Sequence, residues 1–275
     1  MNTPAVSVNL CVWKPDPRFF PQAVESILNQ TFTDFELIIV EDPSEIDGQS
    51  MISHLLHDPR LRYVRNEKRT GLIAQRNAAL KLSRADWVAI LDADDVAHPE
   101  RLAAQTSFVH SNPEIDIVGS WLQVIDQNGH TIGFRKYPIT HAEIGSAIRR
   151  FNPIAQPAVF FRRALAVKHG GYQGEPYVED YDLWCRMFLS GAKFANVPLP
   201  LILYRMHGTA SKMRSLRHVL RQTIAIKRRY FSDRLNYRDR MRLLAERILL
   251  FMPPALVYSA FRLISLRKRL TFPPV

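Results

Sequence analysis

The residues from Val6 to Val12 (VSVNLCV) make a short apolar run, which predicts a buried β-strand. After the turn-forming KPDP, apolar residues fall at Phe20, Val24, Ile27 and Leu28, the spacing of a helix over 19–30. Glu36 to Val40 (ELIIV) reads as a second strand, stopped by Glu41, Asp42, Pro43 and Ser44. Strand, helix and strand at this spacing predict a parallel βαβ unit. Leu61 to Val64 is a third strand, Leu72 to Leu82 a helix, and Trp87 to Leu91 (WVAIL) a fourth strand ending at Asp92. Both acidic clusters therefore stand just beyond the C-terminal end of an apolar strand, the edge at which open α/β sheets bind ligands.

The second half is less regular. A helix is expected over 99–110, then a hairpin from Ile115 to Ile125 through Asn128-Gly129 to Thr131–Phe134. Ala158 to Phe161 returns to the sheet. Tyr181 to Leu189 has helical spacing with Glu179 and Asp180 at its start, and Leu201 to Tyr204 is a last short strand. Two or three basic helices follow, broken at Pro253-Pro254 because proline lacks the amide hydrogen a helix needs. The pattern predicts an α/β fold, a sheet flanked by helices, over 1–211, and a basic helical extension over 212–275.

Composition changes this picture mainly through charge. The 275 residues, 47% of them hydrophobic, suffice for one large domain with an appendage. The net charge of +11 would by itself suggest a polyanionic partner. From Lys212 onward, however, there are 16 Lys and Arg against three acids, Asp233, Asp239 and Glu246. The body is close to neutral and the excess is carried by the tail. That tail has no recognised nucleic-acid-reading module, so nucleic acid is not expected as a partner. Cys11 and Cys185 lie in apolar segments without metal or redox spacing and read as buried thiols. The N-terminus lacks a basic leader, and no uncharged stretch reaches the ~18 to 20 residues needed to span a bilayer, so a cytoplasmic protein is expected.

Asp92, Asp94 and Asp95 crowd four positions after a buried strand, which costs electrostatic energy unless something positive sits there. Mg²⁺ or Mn²⁺ answers this economically, since each takes one or two carboxylates plus substrate phosphates and water. An acidic turn in which Asp95 caps the next helix is the simpler alternative. Glu41 and Asp42 have the same placement on the second strand and suit hydrogen bonds to a base or ribose; capping through Asp42 or Ser44 competes with that reading. The first turn, VWKPDPRF, has no glycine and so does not match the dinucleotide-binding fingerprint.

Four blocks in order carry a resemblance to a known family: VSVNLCVWKPDPRFFPQAVESILNQTFTDFELIIVEDPS, GLIAQRNAALKLSRADWVAILDADD, GGYQGEPYVEDYDLWCRM and LYRMHGTAS. Together they resemble the family-2 glycosyltransferases, the inverting group with the GT-A fold, over about Val6 to Ser211. The resemblance implies that Asp92 and Asp94 hold a divalent metal on the donor diphosphate, with Asp95 in support and His207 approaching the same metal. Glu41 and Asp42 would meet the nucleotide base, commonly uracil, although the family's usual turn has two Asp and a Gly where this chain has Glu41, Asp42, Pro43 and Ser44. Arg76 and Asn77 would line the donor site near ribose and phosphate, as would Asp92.

Asp180 matches the family's base, the carboxylate that takes the acceptor hydroxyl proton while that oxygen attacks the anomeric carbon. Glu179, Gln156 and Trp184 are placed on the acceptor side, with Gln156 standing where many relatives have His. Trp121 is a further candidate for stacking on a sugar, and buried core positions are the plain alternative for both tryptophans. The implied activity is a metal-dependent hexosyl transfer from a nucleoside diphosphate sugar, UDP-linked, to the hydroxyl of a saccharide or lipid-linked acceptor in bacterial surface polysaccharide or glycolipid assembly. A catalytically idle nucleotide-sugar-binding scaffold docked on a membrane is the competing reading. The apolar runs Ile248–Met252 and Ala255–Phe261, flanked by arginines, further suggest peripheral contact with the anionic inner face of the cell membrane.

Overall fold

The computed structural model describes residues 3–206 and 209–253, the side chains of 209–215 excepted. Its first half alternates strand and helix: β1 (Val6–Val12), α1 (Phe20–Leu28), β2 (Phe35–Glu41), a short α2 (Gly48–Met51), β3 (Leu61–Arg65), α3 (Leu72–Leu82) and β4 (Trp87–Asp92). These four strands are parallel, in the order β3-β2-β1-β4. β1, β2 and β4 are almost wholly buried, which explains their near-continuous apolar character. The chain steps outward from β1 to β3, then crosses back along α3 to enter β4 on the other side of β1. This reversal of direction opens a crevice at the strand ends.

Register sets what meets there. Val12 pairs with Glu41, and Cys11 pairs with both Val40 and Asp92. The two acidic strand ends therefore flank the end of β1 at one level of the sheet.

The second half completes a mixed sheet. β5 (Val96–Ala97), α4 (Arg101–Ser111), β6 (Ile117–Ile125), β7 (Thr131–Arg135), α5 (His141–Ala147), β8 (Phe160–Arg162), α6 (Arg163–Lys168), α7 (Glu179–Leu189) and β9 (Phe194–Arg205) follow in order. β8 and β6 join antiparallel beyond β4, β9 runs parallel to β6, and β5 closes the edge. The strand expected at 201–204 is the end of a longer β9, which passes through Pro198 and Pro200 with register shifts against β6. A period-based reading stops at the prolines; pairing carries the strand past them. The helices α2, α5 and α6 are too short to carry a periodic signal.

The extension begins with α8 (Thr209–Phe231), which crosses position 211, and continues into α9 (Tyr237–Leu249). Ile226 and Phe231 of α8 bury in the same core as Tyr181, Leu183 and Trp184 of α7. On α9, Asp239 is buried against Arg150, at 2.6 Å, and Glu246 takes the buried ammonium of Lys227 at 2.7 Å. Pro253 lies just beyond α9, whereas Pro254 and the apolar run 255–261 lie outside the described residues. The architecture is the GT-A type, a helix-flanked mixed sheet with a basic helical C-terminal region.

Candidate active site

A cavity of about 570 Å³ opens over the C-terminal ends of β1, β2 and β4, lined by Cys11–Asp16, Asp42, Arg69, Gly71–Leu72, Gln75, Asp92–Asp94 and Pro176–Tyr177. Its floor is fixed by Gln75 of α3, whose amide donates to the carbonyls of Val12 and Val40 at 2.7 and 3.1 Å. One side chain thus ties the ends of two neighbouring strands.

The two acids after β2 behave differently from one another. Glu41 turns away from the cavity: the Tyr63 hydroxyl donates to it at 2.8 Å and the Gly48 amide at 3.1 Å. Gly48 is required there, because an added Cβ would lie 2.9 Å from the Tyr63 oxygen and 3.0 Å from Glu41 Oε1. Asp42 borders the cavity but receives four hydrogen bonds, from Asn66 Nδ2, Thr70 Oγ1, Thr70 N and Gly71 N, at 2.7–2.9 Å. Burial works to raise its pKa, and those donors outweigh burial, so the carboxyl sits below its usual range. Its negative charge also lies at the N-terminal end of α3, where the helix dipole favours it.

The turn after β4 is held by Arg205, the last residue of β9. Its amide donates to Asp95 Oδ1 at 2.8 Å and its Nε to the Asp94 carbonyl at 2.9 Å. Asp95 is buried, and burial with repulsion from Asp94 and Asp92 pushes its pKa well up. Asp92 and Asp94 face the cavity. Burial pushes Asp92 up to about 6, with Arg76 pulling down and Asp94 pushing up. A further cation, the wholly buried Arg101 of α4, lies beneath the turn, donating to the Ile90 carbonyl at 2.7 Å. Three arginines therefore supply part of the positive charge that the acidic run demands.

Arg76 links this turn to the second acidic cluster. Its guanidinium lies 3.4 Å from Asp92 Oδ1 and also pairs with Glu179 at the start of α7, and Glu179 is itself buried. Beside it, Asp180 accepts from Asn152 Nδ2 at 2.7 Å and from the Tyr181 amide at 2.8 Å. Burial first, then the charge of Glu179, push Asp180 up to about 7 against the pull of Arg76. Asp182 is structural, paired with Arg186 and accepting from the Tyr230 hydroxyl.

Other expected residues are placed less directly. Asn77 clasps the backbone of Tyr172 in both directions, at 2.9 and 2.8 Å, and so shapes the Gly170-Gly171 turn. Gln156 donates to the Tyr172 hydroxyl at 3.0 Å, and its Oε1 has no partner among the described residues. The acceptor-side expectation for Trp184 is corrected: it is fully buried, edge-on to Phe161 and Tyr172, with no ring face left for a sugar. Trp121 is half-buried, with its indole N–H on the Tyr137 carbonyl. His207 lies outside the described residues.

Two cavity residues escaped the sequence reading. Trp13, just past β1, is partly exposed, and the Arg69 guanidinium stacks 3.7 Å from its ring centroid. Nothing in the spacing of either marks it; only folding brings 13 and 69 together.

For a divalent cation, the donor set fits as a partial shell. Of the four carboxylates that line the cavity, Asp92 and Asp94 share one turn, and burial together with repulsion from Asp94 raises Asp92, a strain that a dication relieves. Among the described residues no group of three or more His, Cys, Asp or Glu makes a complete metal shell.

Comparison with known proteins places this geometry. An uncharacterized glycosyltransferase of Methanocaldococcus jannaschii is 31% identical over 209 residues, covering 75% of this chain and 72% of its own. A UDP-Gal:α-D-GlcNAc-diphosphoundecaprenol β-1,3-galactosyltransferase of Escherichia coli is 28% identical, with 86% of each chain covered. Among solved structures, the mannosyltransferase PcManGT of Pyrobaculum calidifontis, in complex with GDP-Man and Mn²⁺, superposes with a TM-score of 0.63 at 15% identity, covering 97% of this chain and 82% of that one. The family model for glycosyl transferase family 2 matches residues 15–169, a segment that contains both acidic strand ends. The chain therefore belongs to glycosyl transferase family 2.

Proposed function

We propose that the protein is an inverting, metal-assisted transferase that moves a hexosyl group from a nucleoside diphosphate sugar to the hydroxyl of a saccharide or lipid-linked acceptor. The observation that carries this reading is the pairing of two unlike acidic groups across Arg76. Asp92 and Asp94 border an open cavity, while Asp180 is buried with a pKa near neutrality.

The division of labour follows from charge. Asp92 and Asp94 would hold Mn²⁺ or Mg²⁺, with His207 as a further ligand from the segment after β9. Bound there, the cation supplies charge stabilisation to the departing diphosphate. Arg76 adds a fixed positive charge beside Asp92. Asp42 anchors the loop that carries Arg69, and Trp13 with Arg69 offers a flat, cationic wall suited to a nucleotide base and phosphate. Asp180 removes the acceptor proton: a carboxylate with a pKa near 7 is a stronger base than an ordinary one, yet is still half ionised at neutral pH. Asn152 orients it, and Glu179 holds Arg76 in place while keeping Asp180 from ionising too readily. A UDP-linked donor is the choice favoured by the UDP-Gal donor of the Escherichia coli relative.

The test is thermal unfolding with nucleoside diphosphates. UDP together with Mn²⁺ should raise Tm by several degrees at saturating concentration, and Asp94→Asn should remove the metal-dependent part of the rise. If no nucleoside diphosphate raises Tm with Mn²⁺ or Mg²⁺ present, the reading fails.

A further inference from the structure

The helix α9 has two faces that differ in kind. Its acids point inward: Asp239 is buried against Arg150 and Arg149, and Glu246 is held by Lys227. A helix turns about 100° per residue, so positions 237, 241, 244 and 248 fall on the side opposite 239 and 246. There stand Tyr237, Met241, Leu244 and Ile248, all exposed, and Phe251 continues the line just past the helix end at 88% exposure. Five large apolar side chains in one stripe are more than scattered surface residues. On the flanks of the stripe stand Arg238 on one side and Arg240 and Arg247 on the other, while Arg242 turns inward to Glu246 at 3.2 Å. The end of the stripe is tied back to α8, where Arg217 donates to the Met252 carbonyl at 2.8 Å.

We propose that this face of α9 docks the protein flat on an anionic lipid bilayer, with the apolar stripe at the acyl boundary and the flanking arginines on the head-group phosphates. Charge selects this occupant over the two others that could cover an apolar stripe. A second copy paired face to face would set arginine flanks against arginine flanks. Residues 254–275 of the same chain contain Arg262, Arg267, Lys268 and Arg269 and no acid, so folding them onto the stripe would also oppose like charges. An anionic membrane complements both parts of the face at once.

Geometry agrees with surface docking rather than insertion. No helix among the described residues is long and apolar enough to cross a membrane. The 13 residues of α9 span roughly 20 Å at ~1.5 Å per residue, suited to lying in the interface. The docking face is also coupled to the reaction centre. α9 holds Lys227 of α8, and α8 supplies the Tyr230 hydroxyl bonded to Asp182 on α7, the helix that begins with Glu179 and Asp180. A lipid-linked acceptor would thus be met by a base whose helix is braced from the membrane side.

The inference does not depend on the donor chemistry, and its test is a vesicle-pelleting measurement on the full chain without nucleotide. Binding should be strong to phosphatidylcholine vesicles containing phosphatidylglycerol and weak to phosphatidylcholine alone, and should fall with added salt. Leu244→Glu with Ile248→Glu should weaken binding on the order of 10-fold or more with Tm unchanged. Arg240→Gln with Arg247→Gln should weaken it less and flatten the salt dependence. Asp92→Asn, which disables the donor site, should leave vesicle binding intact, so loss of catalysis and loss of docking are read separately. Equal pelleting by wild type and the double-Glu variant overturns the proposal, as does indifference to anionic lipid. It is equally overturned if the double-Glu variant turns a dimer into a monomer in sedimentation, or lowers Tm, since the stripe would then be covered by protein.

Discussion

The ends of β2 and β4 start from the same position, acids directly after buried parallel strands on either side of β1, and they finish as different things. At β2, Glu41 and Asp42 are met by a tyrosine hydroxyl, an asparagine amide, a threonine hydroxyl and three backbone amides. Arg65 also lies 3.5 Å from Glu41, but Asp42 is satisfied by neutral donors alone and becomes an anchor for the loop that starts α3. At β4, Asp92 has Arg76 at 3.4 Å and two acidic neighbours, and its pKa rises. The supply of hydrogen-bond donors, rather than position on the sheet, separates a carboxylate that builds the site from one left with a raised pKa for the proposed chemistry. Asp180 belongs with the second kind, since burial and Glu179 raise it while Asn152 and the Tyr181 amide offset only part of that rise.

The sharpest break of this comparison is Asp180→Asn. It should lower transfer by about 10² to 10⁴-fold, the usual range for a positioned acid or base, while leaving the nucleotide-induced rise in Tm unchanged. Equal turnover by the variant would remove Asp180 from the base role.

Asp42→Ala attacks the other kind of acid and should act on stability. It strips the acceptor from the amides of Thr70 and Gly71 at about 1–3 kcal/mol for each donor left unmet, so urea unfolding should show a loss of a few kcal/mol. A change under about 0.5 kcal/mol, the range of an ordinary surface substitution, would place Asp42 among the working acids instead.

The smallest expected effect is in pH dependence. Transfer should rise with pH through a midpoint near 7, because only ionised Asp180 accepts a proton. Asn152→Ala removes a hydrogen bond that favours the ionised form and should move the midpoint upward. The same shift has a stability consequence of definite sign. The folded protein keeps the proton on Asp180 up to about 7, whereas the unfolded chain loses it near 4, so between those values this group makes folding less favourable as pH rises. Relative to Asp180→Asn, wild-type Tm should therefore decline from pH 5 to pH 8.

Much of the frame was legible in the chain. The run VSVNLCV, the run ELIIV and the block ending in WVAIL gave β1, β2 and β4 to within a residue or so, and α3 matched at both ends. Strands buried on both faces are written as continuous apolar runs, and such runs are local information. The position of Asp92, Asp94 and Asp180 at element ends was equally local. What could not be read was which acids would find donors. Tyr63, Asn66 and Thr70 reach Glu41 and Asp42 from across a loop, and Arg205 clamps the β4 turn from more than a hundred residues away.

The two tryptophans show the same limit. Trp184 and Trp13 look alike in sequence, each within two residues of a charge, yet one is sealed between aromatic rings and the other stands at the cavity wall under Arg69. The amphipathic face of α9 was hidden for a related reason: its arginines were visible as net charge, but the inward turn of Asp239 and Glu246 depends on Arg150 and Lys227. By itself the sequence determined where strands end and where acids, arginines and apolar residues stand along the chain, because periodicity and element boundaries are short-range properties. Only the tertiary structure decided which of those charges are neutralised, buried or left facing a cavity, because burial and hydrogen-bond supply come from segments distant in sequence.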